Sequence, residues 1–150
     1  MNESDLQPGR LGKHLPAKEV NAWLALIPYA QLIGVQAEDQ GEALIFTLTP
    51  KAENIGNPLL PALHGGVVAA YMETAAILNV MAYTQGLRIP KIIDFSIDYL
   101  RSAGVELTYA RCDLERLGRR VVNVSITAWQ GNKEAEPLAL ARAHLIWPED

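Results

Sequence analysis

The chain contains one cysteine, Cys112. An intrachain disulfide and a cysteine-based metal cluster are therefore excluded, and a lone Cys reads first as a small core residue. Positive charge is not concentrated anywhere. Lys and Arg number 13 against 17 Asp and Glu, for a net charge of −4, whereas a nucleic-acid partner requires a basic stripe. None of the three histidines is paired at metal-ligand spacing, so no metal is expected. The polar N-terminal stretch MNESDLQPGRLGKHLPAKE has no apolar leader, and a cytoplasmic location is the expectation. Internal repeats and low-complexity segments are absent from the sequence. What the chain does have is 49% hydrophobic residues, enough for one core of ordinary domain size without disulfides or metals.

Charge is scarcest between Glu53 and Arg88, where Glu73 is the only formally charged residue. It sits inside HGGVVAAYMETAAILNVMAY, residues 64–83. Loss of hydration disfavours an ionised carboxylate, so an acid in such a run has a partner or a job. The run is about the minimum length for a membrane span. It also carries Thr74 and Asn79, and no Lys or Arg flanks it closely. A helix apolar nearly all round is equally the central helix of a soluble domain. That reading is preferred, and no membrane partner is expected.

Residues 1–16, with Pro8, Gly9, Gly12 and Pro16, read as a flexible arm, and 17–150 as a single domain. Apolar spacing at Val20, Trp23, Leu24 and Ile27 predicts a helix from Lys18 to Leu26 that Pro28 ends. Ile33 to Ala37 reads as a short strand and Glu42 to Thr49 as a second, with Leu44, Phe46 and Leu48 on one face. Residues 50–63 hold three prolines, a glycine and two asparagines; this is a long loop, and loops of that length tend to be functional. A long helix follows to about Gln85, with Gly86 as its stop. Four strands come next: one with Ile93, Phe95, Ile97 and Tyr99 alternating with polar residues, then Glu106–Arg116, Val121–Gln130 and Leu138–Trp147. An antiparallel meander needs one face covered, and the apolar helix is the only element able to cover it. The fold class is α+β, an antiparallel sheet wrapped around a long central helix.

Two glycines at a helix start either let the loop turn or place bare backbone, with its free N–H groups and positive dipole end, beside a ligand. His64 beside them reads as an ordinary hydrogen-bonding residue or as a participant. The segment LHGGVVAAYMETAA resembles the HGG-x6-[DE] signature of the PaaI-like acyl-CoA thioesterases of the hotdog fold. The segments IPYAQLIGV, FSIDYLRSA and RLGRRVVNV are similar to that family as well, so the likeness runs from about Ile27 to Ile146. The insertion NIGNPLLPA resembles the medium- and long-chain branch that includes YigI.

The resemblance implies hydrolysis of an acyl-CoA to the free acid and CoA, with no cofactor beyond water. It implies Gly65 N–H as the donor to the thioester carbonyl, shared in part with Gly66. It implies Glu73 as general base or nucleophile, and His64 as orienting the loop or the carbonyl. Relatives place an Asn six residues before the His; here Pro58 stands there, leaving Asn57, the preferred candidate, or Asn54. Arg101, Arg116, Arg119 and Arg120 are candidates for the phosphates of CoA, since the planar guanidinium pairs well with them. Glu73 falls about two and a half turns from His64, and the family shares its sites between subunits, so a homodimer or a dimer of dimers is expected. A hotdog dehydratase or hydratase and a non-catalytic acyl-CoA-binding protein are the rival readings.

Overall fold

The computed structural model describes residues 11–148. Its centre is helix α3, Gly65–Tyr83, which a six-stranded antiparallel sheet wraps. The strands are β1 (Val35–Gln40), β2 (Ala43–Leu48), β5 (Lys91–Tyr99), β6 (Thr108–Leu117), β7 (Val121–Gln130) and β8 (Ala139–Ile146), in the order β1-β2-β6-β7-β8-β5. This is the hotdog fold. Among the described residues α3 is the one helix long and apolar enough to cross a membrane, and more than half of it is buried inside the chain.

Close wrapping follows from side-chain size. The inward positions of β8 are Ala139, Ala141, Ala143 and Leu145, and the helix answers with Ala75, Ala76 and Ala82, all buried. Bulk is concentrated in Tyr71, which is fully buried. Its hydroxyl donates to the Phe46 carbonyl at 2.6 Å and lies 3.3 Å from that of Thr108, so a polar tip reaches past the apolar core to the β2–β6 pair, as a buried phenol must.

Helix α1, Ala17–Leu24, packs Val20 and Leu24 inward. It docks on β1 through Asn21, whose carboxamide donates to the Ala37 carbonyl and accepts from the Ala37 N–H, both at 2.8 Å. Of the arm expected over 1–16, residues 1–10 lie outside the described residues. Residues 11–16 have no regular structure but are packed. His14 is 4% exposed, Leu11 and Leu15 lie against the core, and the Leu15 N–H donates to the Ala82 carbonyl at 3.1 Å.

Several boundaries differ from the sequence reading. Pro28 starts a helix, α2 (Pro28–Ile33), at its first turn, where the missing N–H costs nothing. Gly34 closes it in the left-handed region at φ 87, and the strand begins only at Val35. The 50–63 loop contains a 3-10 turn (Ala52–Asn54) and a small hairpin, β3 (Ile55–Asn57) with β4 (Ala62–Leu63). At the end of α3, Gln85 takes the first left-handed position, at φ 58, and the Gly86 N–H returns to the Met81 carbonyl at 2.8 Å. The register of β5 shifts between Ile92 and Asp94. That irregularity turns Ile93 outward, while Ile92, Phe95 and Ile97 pack on the core.

Candidate active site

The first turn of α3 has four backbone donors to satisfy. His64 is the N-cap, and its Nδ1 accepts the Gly66 N–H at 2.9 Å. The Val67 and Val68 N–H groups donate to the His64 carbonyl at 3.0 and 3.2 Å. The Gly65 N–H is left without a partner among the described residues. The expected sharing of the carbonyl donor with Gly66 is therefore not what the geometry offers, since the imidazole already occupies that N–H. The same bond gives His64 an orienting role: its ring nitrogen is an acceptor toward the turn.

Two neighbours press on this turn. The Tyr99 hydroxyl donates to the Gly65 carbonyl at 2.7 Å, and a Cβ on Gly65 would lie 3.3 Å from the tyrosine ring. On the other side, a Cβ on Gly56 of β3 would lie 2.7 Å from His64 Cα, and the His64 N–H donates to the Asn54 carbonyl at 2.7 Å. Close backbone approach requires glycine at Gly56, whereas at Gly65 a side chain would crowd the Tyr99 ring.

Gly65 opens into a cavity of about 340 Å³ lined by Leu63, Val68, Tyr99, Arg101 and Leu138 among others. A second cavity, of about 270 Å³, shares Arg101, Ser102 and Leu138 with it and carries Lys133 on its wall. Arg101 is exposed at the boundary, its backbone fixed by donation to the Leu138 carbonyl at 3.1 Å. Gly65 and Arg101 are thus brought together.

Glu73 is not in this cavity. It lies eight residues along α3 from Gly65, which is roughly 12 Å along the axis and about 80° round it. It belongs to a stripe with Gly66, Ala70 and Ile77 that the sheet does not cover. The sequence reading of Glu73 as a buried acid is corrected accordingly: within one chain it is half-buried, with no hydrogen bond or ion pair among the described residues.

Asn57 does not point its oxygen at the helix start. Its Oδ1 accepts the Leu59 and Leu60 N–H groups at 3.0 and 3.2 Å, an Asx-type turn that shapes the β3–β4 tip. Asn54 is buried, and its amide donates to the Ile33 carbonyl at 2.7 Å. Arg116, Arg119 and Arg120 flank the β6–β7 hairpin at the opposite end of the sheet. Thr108, Gln130, Ala139 and Tyr99 mark the Gly65 end, and the ten residues of β7 separate the two ends by about 30 Å. Within one chain these three arginines do not share the cavity with Arg101.

Residues 60–136, just over half of the chain, match the family model of the thioesterase superfamily. The chain belongs to the thioesterase superfamily. As a member it is a thioester hydrolase. Solved structures agree in fold. A protein of Chromobacterium violaceum is 35% identical, with a TM-score of 0.71 over 88% of this chain and 91% of that one. A thioesterase of Haemophilus influenzae superimposes with a TM-score of 0.79 at 20% identity, over 93% and 94% of the two chains. A phenylacetic acid degradation-related protein of Ralstonia eutropha gives 0.73 at 21% identity, over 86% and 96%. Comparison with curated proteins gives no match.

Set in this superfamily, the helix start and its cavity are the place to look for chemistry. Sequence reasoning missed Tyr99, Gly56 and Ser102 there. Tyr99 was hidden because it continues the series Ile93, Phe95 and Ile97 that alternates with polar residues, which made it look like a core position. Gly56 was visible only as a loop glycine.

Proposed function

We propose that the protein hydrolyses acyl-CoA thioesters to the free acid and CoA in the cytoplasm, as a homodimer or a dimer of dimers, with each site built from two subunits. The unpartnered Gly65 N–H at the head of the cavity carries this reading. It offers one donor, at the positive end of a 19-residue helix, to an oxygen that becomes negative as the thioester is attacked.

Glu73 of the opposite subunit supplies the other half. Its carboxylate takes a proton from water as the water oxygen bonds to the carbonyl carbon, or attacks that carbon itself. The tetrahedral intermediate collapses with loss of the C–S bond; on the first route the proton taken from water passes to the departing thiolate, and on the second the thiolate leaves an acyl-Glu73 anhydride, which water hydrolyses to the free acid and the carboxylate while its proton goes to the thiolate. The separation of Gly65 and Glu73 within one chain supports the division between subunits, because donor and base must both reach one carbonyl group. In this reading Arg101, which lines the same cavity as Gly65, receives the phosphate-bearing arm of CoA, and Arg116, Arg119 and Arg120 do so only from the other subunit. Leu59 and Leu60, 91% and 72% exposed at the β3–β4 tip, are apolar surface for an acyl chain of medium or long length.

A panel of acyl-CoAs tests the reaction. Thiol release is the expected result. Water addition to an enoyl-CoA, or tight binding without turnover, would replace the proposal with one of the two rival readings. Subunit mixing tests the shared site. Glu73→Ala and Gly65→Val are each expected to be inactive. Refolded together in equal amounts, they should regain about a quarter of wild-type activity, because half of the random dimers are mixed and each mixed dimer holds one intact site. No recovery would place Gly65 and Glu73 in the same subunit's site or remove one of them from it.

A further inference from the structure

The geometry points to Tyr99 as a positioning residue for the Gly65 N–H, a role that rests on the oxyanion reading above. Glycine has the widest conformational freedom of any residue, so a donor on glycine is useful only when the planes on either side of its Cα are held. Both are held here. The peptide between Gly65 and Gly66 is gripped at its oxygen by the Tyr99 hydroxyl, at 2.7 Å, and at its nitrogen by His64 Nδ1, at 2.9 Å. The peptide between His64 and Gly65 is gripped at its oxygen by the Val67 and Val68 N–H groups. Its nitrogen is the one first-turn donor with no partner among the described residues. Three of the four polar ends of the two planes are thus occupied, and the free one belongs to Gly65.

The tyrosine ring acts with the hydroxyl. It lies close enough to Gly65 that a Cβ there would be 3.3 to 3.4 Å from three of its atoms, so it limits rotation about Gly65 as a wall does. Tyr99 is the last residue of β5, paired with Ala139 of β8, so the sheet supplies the rigid base from which the helix start is held. The side chain is 52% exposed and lines the cavity. Burying it against the core therefore does not explain its place, and an apolar residue would serve the strand as well.

The test is Tyr99→Phe, which keeps the ring and removes the hydroxyl. The expected result is a fall in kcat of about tenfold to a hundredfold, because small displacements of a catalytic group are costly. KM for the best acyl-CoA should stay within about twofold, since ground-state binding is untouched. The thermal midpoint should be unchanged. In 15N-labelled protein the backbone order parameter of Gly66, whose N–H lies in the plane Tyr99 grips, should fall together with that of Gly65 across the shared Cα, while those of Val67 and Val68 hold. Full kcat in the variant overturns the inference, as does an unchanged Gly65 order parameter. A raised KM with kcat kept overturns it too, by putting the hydroxyl on the substrate. If the wild-type protein hydrolyses no acyl-CoA, the functional proposal falls by itself, and the order parameter still decides whether Tyr99 holds Gly65.

Discussion

The two faces of α3 have nearly the same composition and opposite tasks. One face, with Val68, Tyr71, Ala75, Leu78 and Ala82, is buried against the sheet. The other, with Gly66, Ala70, Glu73 and Ile77, is only partly covered in a single chain. Apolar residues dominate both, so hydrophobicity alone does not separate the face that holds the fold from the face that meets another surface. The polar groups do. Tyr71 on the buried face has its hydroxyl bonded to the sheet, whereas Glu73 on the open face has no partner among the described residues.

Substitutions can break this contrast. Glu73→Gln, on the open face, should reduce kcat on the order of a hundredfold to ten-thousandfold, as loss of a general base does, and leave the thermal midpoint near wild type. Steady-state kinetics beside a melting curve would show it, and a large loss of stability would mean that Glu73 is structural after all. Leu78→Ala, on the buried face, should do the reverse. It empties space in a closed core and should lower stability by about 2–5 kcal/mol while the folded fraction turns over normally, which urea titration with parallel activity measurements would reveal.

Tyr71→Phe refines the comparison. It removes only the hydroxyl that the Phe46 and Thr108 carbonyls receive, and the expected cost is about 1–2 kcal/mol with kcat unchanged. The smallest effect should come from pH. Burial, with Asp113 adding to it, pushes the Cys112 thiol well above its usual range, and burial also raises Tyr71. Both groups therefore keep their protons in the fold at pH values where the unfolded chain begins to lose them, about 8.5 for the thiol and about 10 for the phenol. The unfolded state then binds fewer protons, so this contribution to stability is complete below about pH 8.5 and declines as pH rises beyond it. Urea midpoints at several alkaline pH values would follow the decline. An alkylating reagent should label Cys112 only in unfolded protein, because the thiolate is the reactive form.

Much of the fold was legible because two periodicities are strong here. The unbroken apolar run after His64-Gly65-Gly66 marked α3, and alternation marked β6, β7 and β8 to within one or two residues. Pro28 was misread because the same ring that stops one helix also suits the first turn of the next. The β3–β4 hairpin was lost among prolines, glycine and asparagines, where no periodicity exists over strands of three and two residues. The site was half legible. Composition marked Gly65 and Glu73 as unusual. It gave no measure of where a strand ends in space, so the hairpin arginines were grouped with Arg101 although the length of β7 lies between them. Tyr99 obeyed the alternation of its strand while serving the helix, and no local pattern distinguishes those two duties.

Asn21 has one more consequence. Its carboxamide occupies the outward N–H and C=O of Ala37 in β1, and α1 lies over that border of the sheet. A strand arriving from outside finds the hydrogen-bonding ladder interrupted at Ala37. At the opposite border, no strand among the described residues pairs with the outer side of β5. A sheet with one covered border and one free one has a fixed valence of one. It can join a twin across the free border by a two-fold rotation, and after that only the two covered β1 borders remain. Asn21 and the helix that carries it thus work against growth by strand addition at this border, the template along which sheets extend into fibres.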